Sequence, residues 1–500
     1  MNNVYKSFLT KGIKNFIPQD FIRLLIIFAL CLLVVFVATY IVKYGLADRI
    51  LGDELHYLER SFFDPFTLVN LAKRLLFLVF ALALALYLAI SAFQLRVEAI
   101  ILVLICLLPV FSIASINFPP SYVDSVGLVT APNLTSIALV GSFMLLLYRD
   151  WLWFRKCSKT LIIRAMLFLA ICGVFTQTYH LGIIDGLLLV FLRVIQPIIF
   201  IVLVSYVARS NEGLQNLFVS FVVSVLLAIL IRVASPIPVD PGTGRAFAIG
   251  SWTIYGTILV AVLPLAITLS VDKKSIWIKI ILVLIIPLMI FEVFLTQTRG
   301  AIAALAALGL FGLEKRFRWV AIVGSLLLVI LLLNWEGNIN TAELSGGRLL
   351  TLDIKVMMDD KNWISRLERN FESLQYIYSH PFSGLGLGRP TAETGSQLAY
   401  WVYNPYLAWG VSMGIPAMLA FVLVMYQAIL NSLRNYFREQ EKLKIYQLCI
   451  FISLVVWIVN QFTTGDSLTY LQSIESILFF YAVIGMVLGQ SQTNSTNLIQ

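Results

Sequence analysis

The sequence predicts an all-α, polytopic membrane protein with about fourteen transmembrane helices and twelve as the lower bound, on three observations. Sixty per cent of the 500 residues are hydrophobic, only 13% are charged and the mean hydropathy is +0.90, outside the range of soluble globular chains. The apolar residues gather into runs about as long as a spanning helix requires, roughly 20 residues. The basic residues fall in connections on alternate sides of those runs, the pattern that orients membrane proteins.

Taken in order, the runs lie near 24–42, 75–93, 97–115, 132–148, 161–180, 186–206, 217–234, 252–270, 277–296, 300–313, 319–334, 406–429, 445–461 and 471–489. The first reads as an anchor rather than a removable signal, since no small-residue cleavage site follows Val42. With the N-terminus inside, Lys6, Lys11, Lys14 and Arg23 face the cytoplasm. The clusters Arg149–Lys159, Lys273–Lys274, Lys315–Arg318 and Arg434–Lys444 then do so too. Both termini are then expected to be cytoplasmic. The chain divides into N-terminal helices (1–234), helices with arginine-bearing outer loops (235–334), one long periplasmic segment (335–405) and C-terminal helices with a short cytoplasmic tail (406–500). The cytoplasmic loops leave no room for a catalytic domain, whereas 335–405 far exceeds usual loop length and is the place to expect function.

Within that segment, SRLERNFESLQYIY (365–378) carries the S-x-x-E capping pattern at Ser365 and Glu368. Leu367, Phe371, Leu374, Ile377 and Tyr378 recur at helical spacing. This predicts an amphipathic helix on the membrane–water boundary, stopped by His380-Pro381 and followed by the turn SGLGLGRP. A second, shorter helix is expected near 348–358.

Composition also excludes classes. The +9 net charge is an orientation signal, because no basic stretch belongs to a soluble domain; no nucleic-acid partner is expected. Cys31, Cys106, Cys172 and Cys449 lie in apolar runs and Cys157 in a basic loop, suggesting packing residues, with neither disulfides nor a metal site. No cofactor is indicated.

The charges inside or bordering apolar runs are Arg193, Arg232, Arg245, Glu292, Arg299 and Asp466. A guanidinium at a helix centre in lipid costs about 2.5–3.5 kcal/mol on insertion scales, so each arginine needs water, a partner or a ligand. Arg245, Arg299 and Arg232 stand at outer helix ends, where snorkelling into headgroups and ligand binding both remain open. Arg193 lies deeper, with Asp185 or Glu292 as possible partners. Glu292 precedes Arg299 by two helical turns, and its expected role is to hold an arginine of a neighbouring helix. Asp466, in TTGDSL, heads toward the outer face, where a solvated turn aspartate is the plain alternative. Several arginines on one face suggest an anionic ligand, since guanidinium recognises phosphate oxygens bidentately. A lipid diphosphate fits. No Asp-x-Asp pair stands outside the membrane, Asp359-Asp360 being adjacent, which favours arginine over metal for stabilising a departing diphosphate.

Four ordered stretches over about residues 240–430 carry a resemblance. GRAFAIGSWTIYGTILVAVLPLAI (244–267) looks like an arginine-bearing outer loop and its helix, and FLTQTRGAIAAL (294–305) contains a [ST]-R-G turn through Arg299 and Gly300. SRLERNFESLQYIYSHPFSGLGLG (365–388) ends in H-P-x-x-G-x-G-x-G, and YNPYLAWGVSMGIPAMLAF (403–421) matches H-N-x-y-L-x-x-x-x-x-x-G at Asn404, Leu407 and Gly414. The set resembles the superfamily of O-antigen ligases and Wzy-type polymerases, membrane glycosyltransferases acting on undecaprenyl-diphosphate-linked sugars.

The resemblance implies a transferase of the bacterial inner membrane with its active site facing the periplasm. Arg299 and Arg245 would hold the diphosphate, and Tyr403, Asn404 and Asp466 would stand near the acceptor. Arg193, Arg232, Arg366, Arg389 and His380 are further substrate-binding candidates, with Glu292 and Gly300 in support. One departure matters: the signature's histidine, catalytic in the ligases, is Tyr403 here. A tyrosine of pKa about 10 is a poor base at neutral pH, which turns the expectation toward a polymerase of O-antigen, capsule or exopolysaccharide. A ligase of the lipid A-core or protein type is the alternative, and a lipid-linked oligosaccharide flippase the contrasting class. A separate flippase and a chain-length regulator are the implied partners, besides membrane lipid.

Overall fold

The computed structural model describes residues 91, 94, 96–114, 134–181, 183–234, 252–272, 276–296, 298–315, 361–386, 404–439, 441–463 and 474–497. Almost all of them are helical, and no strand occurs among them. The helices are α1 (Val97–Ala114), α2 (Leu134–Ser158), α3 (Leu161–Leu181), α4 (Ile183–Val190), α5 (Gln196–Ala208), α6 (Asn211–Ala234), α7 (Trp252–Asp272), α8 (Ile276–Leu295), α9 (Arg299–Ala304), α10 (Lys361–Ser379), α11 (Pro405–Arg438), α12 (Glu441–Thr463) and α13 (Ile474–Asn497). Five helical stretches among the described residues are long and apolar enough to cross a membrane, or six if α2 and α3, bent by 89° at their junction, form one span. The fold is that of an all-α membrane protein. The runs expected at 24–42, 75–93 and 319–334 and the helix near 348–358 lie outside the described residues.

At two of the helix contacts, small residues and a polar ladder do the joining. Lipid offers no hydrophobic drive between helices, so close packing and buried hydrogen bonds must supply it. Gly485 and Gly489 of α13, four apart, lie against α5: Val204 and the Ile201 carbonyl face the first, Ala208 and the Ser205 carbonyl the second. On α12, Asn460 Nδ2 donates to Thr257 Oγ1 of α7, Ser453 Oγ donates to the Ala261 carbonyl at 2.6 Å, and Cys449 pairs with Thr268 at 2.5 Å. Residue numbers fall on α12 as they rise on α7, so the two helices run antiparallel.

Two polar groups mark the two ends of the bundle. At one end, Arg149 pairs with Glu98 and Arg209 with Asp150, both at 2.8 Å, while the Arg209 guanidinium covers the Tyr206 ring at 3.8 Å. Asn435 Nδ2 also belongs there, donating to the Val487 carbonyl at 3.2 Å beside the α13–α5 contact. The other end lies about 31 Å along α6, a rise of 1.5 Å over each of the residues from Asn211 to Arg232. That is about one hydrocarbon thickness.

Three helices are broken, each for a legible reason. Pro197 lacks the N–H that an α-helix would direct at the Arg193 carbonyl. The chain widens into a π turn over Phe191–Ile195, closed by the Gln196 N–H on the Phe191 carbonyl. The run expected as one helix over 186–206 is therefore interrupted at Arg193. In α2, Asp150 leaves the helix (φ −145°, ψ 67°), and its carboxylate caps the next turn through the Trp153 N–H at 3.1 Å. In α11 the break falls at Gly414 (φ 81°, ψ 176°). The run at 300–313 also departs from a single α-helix: α9 gives way to a 3₁₀ stretch over Leu305–Leu313. At about 2.0 Å per residue, that stretch lengthens an otherwise short segment.

The capping box expected at Ser365 is corrected. α10 begins at Lys361, so Ser365 lies inside the helix. The adjacent acidic pair Asp359-Asp360 precedes Lys361 in sequence, where carboxylates suit the positive end of a helix dipole.

Candidate functional site

The second end of the bundle gathers the described parts of all four motif stretches, packed two by two. The first pair is the α7 stretch and the TQTRG turn. At the end of α8, the Thr296 N–H still donates to the Glu292 carbonyl at 3.1 Å, and the Thr296 hydroxyl donates to the Val293 carbonyl at 2.7 Å. Thr298 then turns extended (φ −99°, ψ 107°) and α9 starts at Arg299. This turn lies against Gly256 of α7, where an added Cβ would stand 2.9 Å from both the Ala301 methyl and the Thr296 hydroxyl. Only glycine permits that approach without displacing a neighbour.

Beneath the turn sits a buried ionic group. The Arg232 guanidinium of α6 donates through Nη2 to Glu292 Oε1 of α8, and the Tyr255 hydroxyl of α7 donates to Glu292 Oε2 at 3.2 Å. Tyr255 and Glu292 are buried, and Arg232 is 9% exposed. Three helices are thus joined at one carboxylate. A counter-charge and a donor to each carboxylate oxygen are what make a buried charge tolerable.

The second pair is the H-P turn and the α11 stretch, and here the backbone accounting is complete. Pro416 has no N–H for the Ser412 carbonyl, and Gly414 at positive φ turns the Ile415 N–H away from the Val411 carbonyl. The turn after α10 supplies the replacements. Leu385 N–H donates to the Val411 carbonyl and Gly386 N–H to the Ser412 carbonyl, each at 2.8 Å, while Ile415 N–H donates to the Pro381 carbonyl at 2.7 Å. At Gly414 an added Cβ would stand 2.6 Å from the Pro381 carbonyl oxygen. The glycines of S-G-L-G and the glycine closing N-x-x-L-x-x-x-x-x-x-G therefore form one joint.

Asn404 caps the first half of α11, its side-chain oxygen accepting from Tyr406 N–H at 2.9 Å and Leu407 N–H at 3.4 Å. Its carboxamide nitrogen takes no part in the cap. His380 is exposed at the end of α10, stacked on Tyr376 with centroids 4.5 Å apart, and its Nδ1 lies 2.9 Å from the Ser379 hydroxyl. Burial against α11 pushes the Tyr376 phenol above its ordinary pKa.

Of the remaining expected residues, Arg193 lies in the π turn, about 24 Å from Arg209 along α5, on the side of the second end. Gly300 is buried in α9, and Arg366 falls within α10. Arg299 opens α9, which places its backbone seven residues beyond Glu292. Arg245, Tyr403, Asp466 and Arg389 lie outside the described residues. Two participants carried no sequence signal as polar site members. Tyr255 reads as one aromatic residue in an apolar run, and Thr296 as part of a turn. The only hint was Gly256, a glycine inside an apolar helix, which signals close backbone approach.

Fold and site together define a multi-pass, all-α membrane protein with a polar assembly at one end of its helix bundle. No family model matches the chain, and no curated protein matches it.

Proposed function

We propose that the protein is a polysaccharide polymerase of the bacterial inner membrane, joining undecaprenyl-diphosphate-linked repeat units on the periplasmic side. The observation that carries this reading is the convergence of the four motif stretches as two glycine-mediated joints at one end of the bundle, the end that also holds Arg232 and the first residue of α9, Arg299. In this reading about fourteen helices span the membrane, both termini are cytoplasmic and that end faces the periplasm. Arg299 and Arg245 hold the donor diphosphate, with Arg193, Arg366 and Arg389 extending the positive surface, while Arg232, expected there too, is buried and paired with Glu292 and supports the site from within. The acceptor hydroxyl attacks the anomeric carbon, the bond to the diphosphate breaks with inversion, and the acceptor's proton leaves on the released lipid diphosphate. Asn404, Tyr403 and Asp466 line the acceptor side. Arginine charge takes the place of a metal in stabilising the leaving group. A ligase is the second reading, disfavoured by tyrosine at the position of the signature's histidine.

Replacing Arg299 by Ala and separately by Lys in the native host, at matched membrane levels, tests the reading. Loss of one preorganised charge from a transition state costs about 10²–10³ in rate. Surface polymer should fall accordingly while single repeat units accumulate. Long lipid-linked chains that never reach an acceptor would identify a ligase. Unchanged polymer would reduce Arg299 to a snorkelling helix end and favour a flippase.

A further inference from the structure

α10 divides into three sectors when its residues are set about 100° apart. Ile364, Leu367, Phe371, Leu374 and Tyr378 fall within a sector about 80° wide, and each is 41 to 89% exposed. Glu368, Glu372, Gln375 and Ser379, all exposed, fill the neighbouring sector. The third sector is buried: Ser373 and Ile377 turn toward α11, where Ile377 Cδ1 closes on Gly410 and joins Ala408 and Val411 in a small cluster. A helix wholly in water has no use for the first sector, and a helix crossing a membrane has no use for the second. Only a helix lying in the interface, with lipid below, water above and protein at its side, uses all three.

The buried sector borders a second exposed apolar surface. Met418 and Ile415 of α11 pack against the Ile377 cluster. Leu419, Val422 and Tyr426, which follow in α11, form a second exposed apolar stripe on a helix long and apolar enough to span.

We propose that bilayer lipid occupies the apolar sector of α10, and that this anchorage fixes the broken half of α11 at headgroup depth. The three main-chain bonds between the 381–386 turn and the Gly414 break make α10 and that half-helix one unit. The depth of α10 therefore sets the depth of Asn404 and of the turn. The inference stands apart from glycosyl transfer, since a ligase or a flippase built on the same α10 would behave alike.

The test uses the full chain in phosphatidylcholine vesicles, with the native cysteines replaced and an environment-sensitive fluorophore on a single cysteine at Leu367, Leu374, Glu368, Gln375 or Ser383. Acyl-chain-brominated phosphatidylcholine should quench labels at Leu367 and Leu374 and spare those at Glu368 and Gln375. A headgroup-attached quencher should reach Ser383. A carbene-bearing phospholipid on the unaltered chain provides a variant-free check, tagging Phe371 and Leu374 but not Glu372 or Gln375. No quenching or tagging at the stripe overturns the proposal, as does equal quenching at all positions. Stripe-to-stripe disulfides between chains without lipid quenching would assign the sector to a second copy and overturn it as well.

Discussion

Replacing Glu292 by Ala should be among the most destabilising single changes in the bundle. Glu292 is buried and Arg232 is 9% exposed, so the change removes the carboxylate that Arg232 Nη2 bonds, at a guanidinium with little access to water to replace it. Breaking one side of a buried pair costs about 3–5 kcal/mol, most of it the penalty of the abandoned charge. The Tyr255 hydroxyl loses its acceptor as well, but at 3.2 Å that bond is long, and Tyr255→Phe alone should cost about 1 kcal/mol. The informative experiment is a double-mutant cycle on the purified chain, following unfolding in mixed micelles by rising denaturing detergent. Arg232→Met and Glu292→Met should each be costly. The double variant, an apolar pair of similar volume, should cost less than either single, because no charge is left buried. Additive losses would refute the reasoning, since they would mean that each residue acts through contacts of its own.

The apolar helices were legible because period and length are written directly in apolar residues. α1, α3, α6, α7, α8 and α12 fall close to the runs read at 97–115, 161–180, 217–234, 252–270, 277–296 and 445–461. Breaks inside runs were harder to read. Pro197 and Pro416 are visible, but a proline in a membrane helix predicts only that some carbonyl loses its partner. Whether the chain answers with a π turn, as at Arg193, or accepts donors from a turn elsewhere in the chain, as at Ser412, depends on what lies beside it in space.

The site divides in the same way. Its residue types were legible, since arginine in lipid requires an explanation and Glu292 within an apolar run required a partner. Which arginine Glu292 meets was not, because α6 and α8 are sixty residues apart and nothing local selects Arg232 over Arg193. Glycine function was partly readable. Gly414 matched a motif position, but its positive φ and its approach to Pro381 follow from the docking of a segment about thirty residues earlier. The joint explains why such widely separated glycines belong to one pattern: each removes a Cβ that the other segment's backbone would strike.

Two further changes test these joints. Gly414→Ala places a Cβ against the Pro381 carbonyl at a positive φ and extended ψ, a region essentially reserved for glycine, costing about 1–3 kcal/mol in backbone strain alone and more from the clash. It should release the 381–386 turn, read as new protease cleavage between α10 and α11, and an unchanged cleavage pattern would show that the joint tolerates a side chain. Asn404→Ala should cost about 1 kcal/mol through loss of the cap, whereas Asn404→Asp keeps an acceptor for the Tyr406 and Leu407 N–H groups and should preserve stability. The same pair separates capping from chemistry. An Asn404→Asp chain that is stable but forms no polymer would place the carboxamide nitrogen, the one part of the side chain the cap leaves unused, at the acceptor. A stable and fully active Asn404→Asp chain would confine Asn404 to holding the half-helix in place, and the acceptor contacts would then have to come from the neighbouring segments.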